Sequence, residues 1–217
     1  MSLFPSPQSS LAFPQALCEK YRPRKIAEFI GLDKPKRILT GFAANPKNAA
    51  FIFVGESGLG KTTMALALAE EMEGEVHHIP SQKCTVENIE DTMRQCWYAT
   101  RKVNGFHLVI VDEADQMTDK AQLALLSKLD STARPPQTIF VFTCNSTKGL
   151  EKRFLSRCIP VEFSNYALRN ELAEFLAKVW EMETGKASEL NFERIAKEST
   201  NNVREALNRL EVELLAA

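Results

Sequence analysis

Residues 50–64 read Ala-Phe-Ile-Phe-Val-Gly-Glu-Ser-Gly-Leu-Gly-Lys-Thr-Thr-Met, and their reading decides the fold. Ala50–Val54 is a short apolar run of the kind that forms a buried strand. Gly55–Thr62 then fits the pattern G-x-x-x-x-G-K-[ST], a phosphate-binding loop. Glycines 55, 58 and 60 let the backbone turn sharply and aim successive N–H groups at an anion. Lys61 brings a positive charge to β- and γ-phosphates, and the Thr62 hydroxyl can ligate Mg²⁺. Met64, Leu66 and Leu68 open a helix whose positive N-terminal end faces the same phosphates. The rival reading is a glycine-rich strand-to-helix turn without a ligand. The strand before the loop and the helix-forming Met64–Glu70 after it favour the phosphate reading.

Downstream, Phe106–Asp112 is a second continuous apolar run, as in the strands of a buried parallel sheet. It ends in Asp112-Glu113-Ala114-Asp115. Carboxylates at the carboxyl end of such a strand lie where open α/β sheets bind ligands. Asp112 suits the outer sphere of Mg²⁺, and Glu113 suits polarising an attacking water. Glu75–Ile79, Thr138–Thr143 and Ile159–Phe163 read as further strands, and Pro80–Lys83 as a loop. Asn145 stands at the exit of the strand at 138–143, where an amide could hold a water or the γ-phosphate; alone it reads as a turn residue. Helices are expected near 33–43, after Thr85 with Ile89, Met93, Cys96 and Trp97 on one side, and around Leu123–Leu129. Trp97 and Tyr98 read as packing residues rather than base-stacking ones. From 166 onward the period is helical: Leu168, Leu172, Phe175, Leu176, Val179 and Trp180 form one stripe, and Val203, Leu207, Leu210 and Leu214 another. A shorter helix capped by Asn191 is expected between them.

The chain has 217 residues, 44% hydrophobic and 25% charged, the balance of an ordinary globular protein. No apolar run approaches the ~18 residues that a membrane span needs, and no secretory leader is visible, so a cytoplasmic location is expected. The five cysteines, at 18, 84, 96, 144 and 158, include no C-x-x-C pair, which points to reduced thiols and away from zinc. His77, His78 and His107 read as packing residues. Net charge is −1, but residues 1–50 carry eight Lys/Arg against three Asp/Glu, and 165–217 carry seven against ten. A basic face of that kind can meet phosphates, although most charge clusters are simply solvated. Residues 1–17, with Pro5, Pro7 and Pro14, read as a flexible tail.

The set Glu19-Lys20-Tyr21-Arg22-Pro23, Gly55–Thr62, Asp112–Asp115, Asn145 and Ser156-Arg157-Cys158 resembles the clamp-loader branch of the AAA+ ATPases. That branch holds the motor subunits of replication factor C, of the bacterial polymerase III loader and of phage loaders. The resemblance spans about residues 18–215. It implies an α/β P-loop NTPase of AAA+ type, with a five-stranded parallel sheet between helices in 18–164 and a small α-helical lid in 165–217. It implies an ATPase using ATP and Mg²⁺, with Gly55, Glu56, Ser57, Gly58, Leu59, Gly60, Lys61, Thr62 and Thr63 binding the nucleotide. Thr62 and Asp112 would serve the metal, and Glu113 would be the catalytic base. Asn145 matches the sensor 1 position and Arg204 sensor 2, while Tyr21, Arg22, Pro23 and Ile30 fall in the adenine-pocket segment. Arg157 would be an arginine finger acting on the neighbouring subunit of a ring, with Arg153 as a rival; read by itself, Arg157 is a surface salt-bridge residue.

The implied partners are primer–template DNA, met through its backbone by Ser81, Lys83, Arg101 and Lys102, and a sliding clamp. Gln8-Ser-Ser-Leu11-Ala-Phe13 is similar to the short peptide with which replication proteins dock on that clamp; a plain tail is the competing reading. Two departures stand out. Loader subunits continue into a helical collar, whereas this sequence ends at Ala217. The bacterial loader's zinc cysteines are also missing, since only Cys84 and Cys96 lie between the loop and Asp112. The resulting expectation is an ATP-driven clamp-loading protein. The alternative is a nucleotide-dependent switch or adaptor that binds a replication partner with little turnover.

Overall fold

A computed structural model describes residues 15–101, 105–130, 132–166, 168–187 and 189–216. Five strands form one sheet: β1 (Ala49–Val54), β2 (Glu75–Pro80), β3 (His107–Asp112), β4 (Thr138–Cys144) and β5 (Ile159–Glu162). Their order is β2-β3-β4-β1-β5, and every pairing is parallel. The central strands are apolar throughout because helices cover both faces. Alternation along each strand divides the core into two layers. Phe51 and Phe53 of β1, with Leu108, Ile110 and Val141, pack on Leu39 of α2 (Asp33–Ala44) and on Met64 and Leu68 of α3 (Lys61–Glu71). Ile52, Val109, Val111, Phe140 and Phe142 face the other way, onto α4 (Val86–Cys96), α5 (Asp119–Leu129) and Phe154 of α6 (Lys152–Leu155). With all strands parallel, Val54, Asp112 and Cys144 emerge at one edge.

The helices α7 (Arg169–Thr184), α8 (Phe192–Glu198) and α9 (Val203–Ala216) build a separate apolar cluster from Leu172, Leu176, Val179, Ile195, Leu207 and Leu210. The expected cap is present: Asn191 Oδ1 accepts from Arg194 N at 2.9 Å. The expected Thr85 cap on α4 is also present.

Three details differ from the sequence reading. Leu17, assigned to the tail, begins α1 (Leu17–Lys20) and is buried in the helical cluster. Trp97 and Tyr98 are not packing residues: they are 59% and 76% exposed. Trp97 sits one residue past the end of α4, so it leaves the stripe that buries Ile89, Met93 and Cys96. Ser81–Lys83, taken as a loop, is a 3-10 turn. Gln8, Leu11, Phe13 and Lys102 lie outside the described residues. Among the described residues no helix is long and apolar enough to cross a membrane.

Candidate functional site

The loop between β1 and α3 owes its path to what presses on it. A side chain at Gly55 would overlap the Phe163 carbonyl at the exit of β5. Gly58 has φ +81°, and a Cβ there would strike the Asn202 side chain. Asn202, just ahead of α9, donates its amide N–H to Ser57 O at 2.7 Å, so the helical unit touches the loop directly.

Lys61 opens α3 and is buried. An ammonium has three hydrogens to donate, and here each has an acceptor: Gly55 O at 2.7 Å, Glu56 O at 2.8 Å and Asn145 Oδ1 at 3.0 Å. Burial, with help from the Arg204 charge, pushes the Lys61 pKa down, while Cys144, Asp115 and Asp112 pull it back. The Thr62 hydroxyl donates to Asp112 Oδ1 at 2.7 Å, and the Thr143 hydroxyl donates to the same oxygen at 2.9 Å. Thr143 also accepts from Glu113 N at 3.2 Å. Glu113 has φ 52°, a left-handed conformation that costs a non-glycine residue strain. Asn145 N donates to Asp115 Oδ2 at 3.3 Å.

Two cavities meet at the loop. One, of about 330 Å³, is mainly apolar and is lined by Tyr21, Arg22, Pro23, Phe29, Ile30 and Leu59, together with Phe175 and Leu207 of the helical unit. The other, of about 100 Å³, is polar and is lined by Ser57, Lys61, Thr62, Glu113, Thr143 and Asn145. Gly58, Gly60, Thr63 and Arg204 line both. An apolar chamber sized for a flat base, opening onto a cationic cradle, has the shape and chemistry of a nucleotide. The donor set also suits a magnesium ion, since the Thr62 hydroxyl and the Asp112 carboxylate stand together at the cradle.

Most of the expected residues therefore converge. Three stand apart. Glu56 lines neither cavity, and its carboxylate accepts from Asn165 Nδ2 at 3.0 Å. The Tyr21 hydroxyl donates to Glu183 of α7, and burial ahead of that carboxylate pushes its pKa up to about 12. Arg157 lies outside both cavities, with Nε 2.7 Å from Asp130 Oδ1 and Nη1 2.8 Å from Arg153 O. That ion pair holds the Asp130 carboxyl below its usual range. Arg153 itself pairs with Glu151.

Sequence reasoning missed His78 and Thr143. His78 Nε2 is 2.5 Å from Asp112 Oδ2, and its side chain is 45% exposed, so the packing role expected for it does not hold. The signal lay in the β2–β3 register, which pairs Pro80 with Asp112 and so sets His78 on the same face as Asp112. That register is not written in either strand alone.

The model of the ATPase family associated with various cellular activities matches residues 51–166, more than half of the chain. Replication factor C small subunit 1 of Pyrobaculum islandicum is 33% identical over 202 residues, which cover 89% of this chain and 60% of that protein. Replication factor C subunit 3 of Blastobotrys adeninivorans is 32% identical over 200 residues, covering 89% and 58%. The chain thus spans about 60% of the length of the curated relatives it matches. Among solved structures, the RuvB Holliday junction branch migration motor of Thermotoga maritima has the same fold, with a TM-score of 0.75 at 21% identity, covering 88% of this chain and 64% of that one. With its parallel sheet, its phosphate loop and this family match, the chain belongs to the AAA family of ATPases.

Proposed function

We propose that the chain is an ATP-hydrolysing motor unit of clamp-loader type. The observation that carries this reading is the junction of the two chambers, where Lys61, Thr62, Glu113 and Asn145 share one polar space beside an apolar base pocket. Lys61 exchanges its three internal acceptors for phosphate oxygens. Asn145, released from Lys61, is free to orient the γ-phosphate or the attacking water. Glu113 takes the proton of that water as general base. Arg204 reaches the phosphates from α9. Thr62 directly, and Asp112 through water, would hold Mg²⁺, which neutralises charge on the β- and γ-phosphates when bound.

Arg157 serves a neighbouring subunit in this reading, because it lines neither chamber of its own chain. An arginine supplied in trans is worth about 10³–10⁵ in rate. The similarity to replication factor C subunits supports DNA and a sliding clamp as partners. Ser81, Lys83 and Arg101 are the backbone-contacting candidates, and such contacts read no sequence. The domain division at about residue 164, with a helical lid beyond it, belongs to the same proposal.

The Arg157–Asp130 pair also favours a second reading, a nucleotide-gated switch, since a finger engaged within its own chain contributes nothing to turnover. The deciding experiment is specific ATP turnover against protein concentration, with and without primer–template DNA and clamp, for wild type and Arg157→Ala. A rate that climbs with concentration, DNA and clamp, and falls by about 10³-fold or more in the variant, supports the motor. A slow rate indifferent to all three sinks it and leaves the switch.

A further inference from the structure

The opposite edge of the sheet, where the strands begin, carries a second cluster of ligand-type side chains. The register pairs Glu75 with His107 across β2 and β3, and His107 with Thr138 across β3 and β4. Those side chains share one face, and His77, two residues beyond Glu75, joins them. Cys96, the last residue of α4, closes over this row. One ring nitrogen each of His77 and His107, and the Cys96 sulfur, lie within 4.8 Å of one another. We propose that His77, Cys96 and His107 form a binding site for one zinc-class divalent ion, separate from the nucleotide site.

The hydrogen bonding around the cluster prepares it. His107 Nε2 is 2.9 Å from the Tyr98 carbonyl oxygen, which can only accept, so Nε2 carries the hydrogen. Its Nδ1 is therefore a lone pair that accepts from His77 Nε2 at 2.9 Å; an arriving ion takes the place of that hydrogen, and His77 then keeps its proton on Nδ1. Gln95 hydrogen-bonds the His77 ring in turn. A remote ring nitrogen tied to a carbonyl or amide is the usual support of a metal-bound histidine. Burial, ahead of the neighbouring His107, lowers the His77 pKa. Burial also pushes the Cys96 thiol up to about 12, so an arriving ion displaces a proton from sulfur. The Glu75 carboxylate acts on both His77 and Cys96 and supplies a nearby negative charge.

Two imidazoles and one thiolate select zinc over magnesium or calcium. Bonds of about 2.0–2.3 Å set tetrahedral ligand atoms roughly 3.3–3.8 Å apart, so the cluster needs only a small adjustment. The fourth position is left to solvent beside half-buried His77, an open coordination rather than a closed one. His107 and Asp112 are at opposite ends of β3, roughly 16 Å apart at about 3.3 Å per residue. The ion would fasten the end of α4 to β2 and β3.

The test is a cobalt(II) titration of the full chain after chelator treatment, followed by absorbance. One ion per chain is expected, with a near-ultraviolet thiolate-to-cobalt band. Cys96→Ser should abolish that band. His77→Gln, at the half-exposed rim, should weaken cobalt binding by at least about tenfold while far-ultraviolet circular dichroism stays that of wild type. Zinc should raise the melting temperature of wild type and of neither variant. No thiolate band in wild type, or a band that survives Cys96→Ser, would overturn the proposal. So would cobalt affinity left unchanged in folded His77→Gln.

Discussion

At the scale of single residues, the cradle is tied together by its own hydrogen bonds. Lys61 is not waiting with a bare charge: three oxygens hold it, two of them from the loop itself. Glu113, by contrast, has a backbone hydrogen bond to Thr143 and a strained φ that fixes where its carboxylate stands. Separating the two gives a clean prediction. In the proposed mechanism Glu113→Gln keeps the shape and loses the base, so ATP binding measured by fluorescence should stay near wild type while turnover falls by about 10²–10⁴-fold. These residues were legible in the sequence because a phosphate loop and an acidic strand end are local patterns. His78 and Thr143 were not, because each reaches Asp112 only after neighbouring strands have paired in one register. Arg157 was singled out only through family resemblance; its Asp130 partner, 27 positions away in the chain, follows from tertiary packing.

At the scale of elements, the helical unit is not closed by its own three helices. α1, from the amino-terminal side of the chain, buries Leu17 among Leu172, Leu176 and Leu210, and Lys20 pairs with Glu183 at 2.7 Å. The same segment supplies Tyr21 to one wall of the base pocket. Leu17→Ala should therefore cost about 2–3 kcal/mol, read as a lower denaturant midpoint, and should weaken nucleotide binding as well. The strands and the helical stripes were readable from periodicity, since the residues that alternate or recur are the ones that pack. The role of Leu17 was hidden, because a four-residue helix has too few turns to show a period and is preceded by a proline- and serine-rich stretch. Trp97 failed for a related reason: periodicity does not announce where a helix stops.

At the scale of the whole molecule, burial acts on the protein's response to pH. Cys84 and Cys144 are pushed up to about 11, and Cys96 and Cys158 to about 12, in each case chiefly by desolvation. Tyr21 joins them at about 12. A raised folded-state pKa favours the protonated form. That stabilisation is complete below the unfolded values, 9.0 for a thiol and 10.0 for a phenol, and is lost as pH climbs through the folded ones. The urea midpoint should thus show no loss from these groups up to about pH 9, then fall steadily toward pH 12. One contact described above gives the molecule a mechanical property. Asn202 grips the Ser57 carbonyl, and Asn165 bridges Glu56 and the Thr200 carbonyl, so the helical unit is fastened to the phosphate cradle on two sides. Coupling between sites is reciprocal. By that reciprocity, whatever free energy bound nucleotide contributes to holding α9 in place would reappear as a change in nucleotide affinity when α9 is pulled, and the chain would act as a strain gauge whose dial is nucleotide affinity.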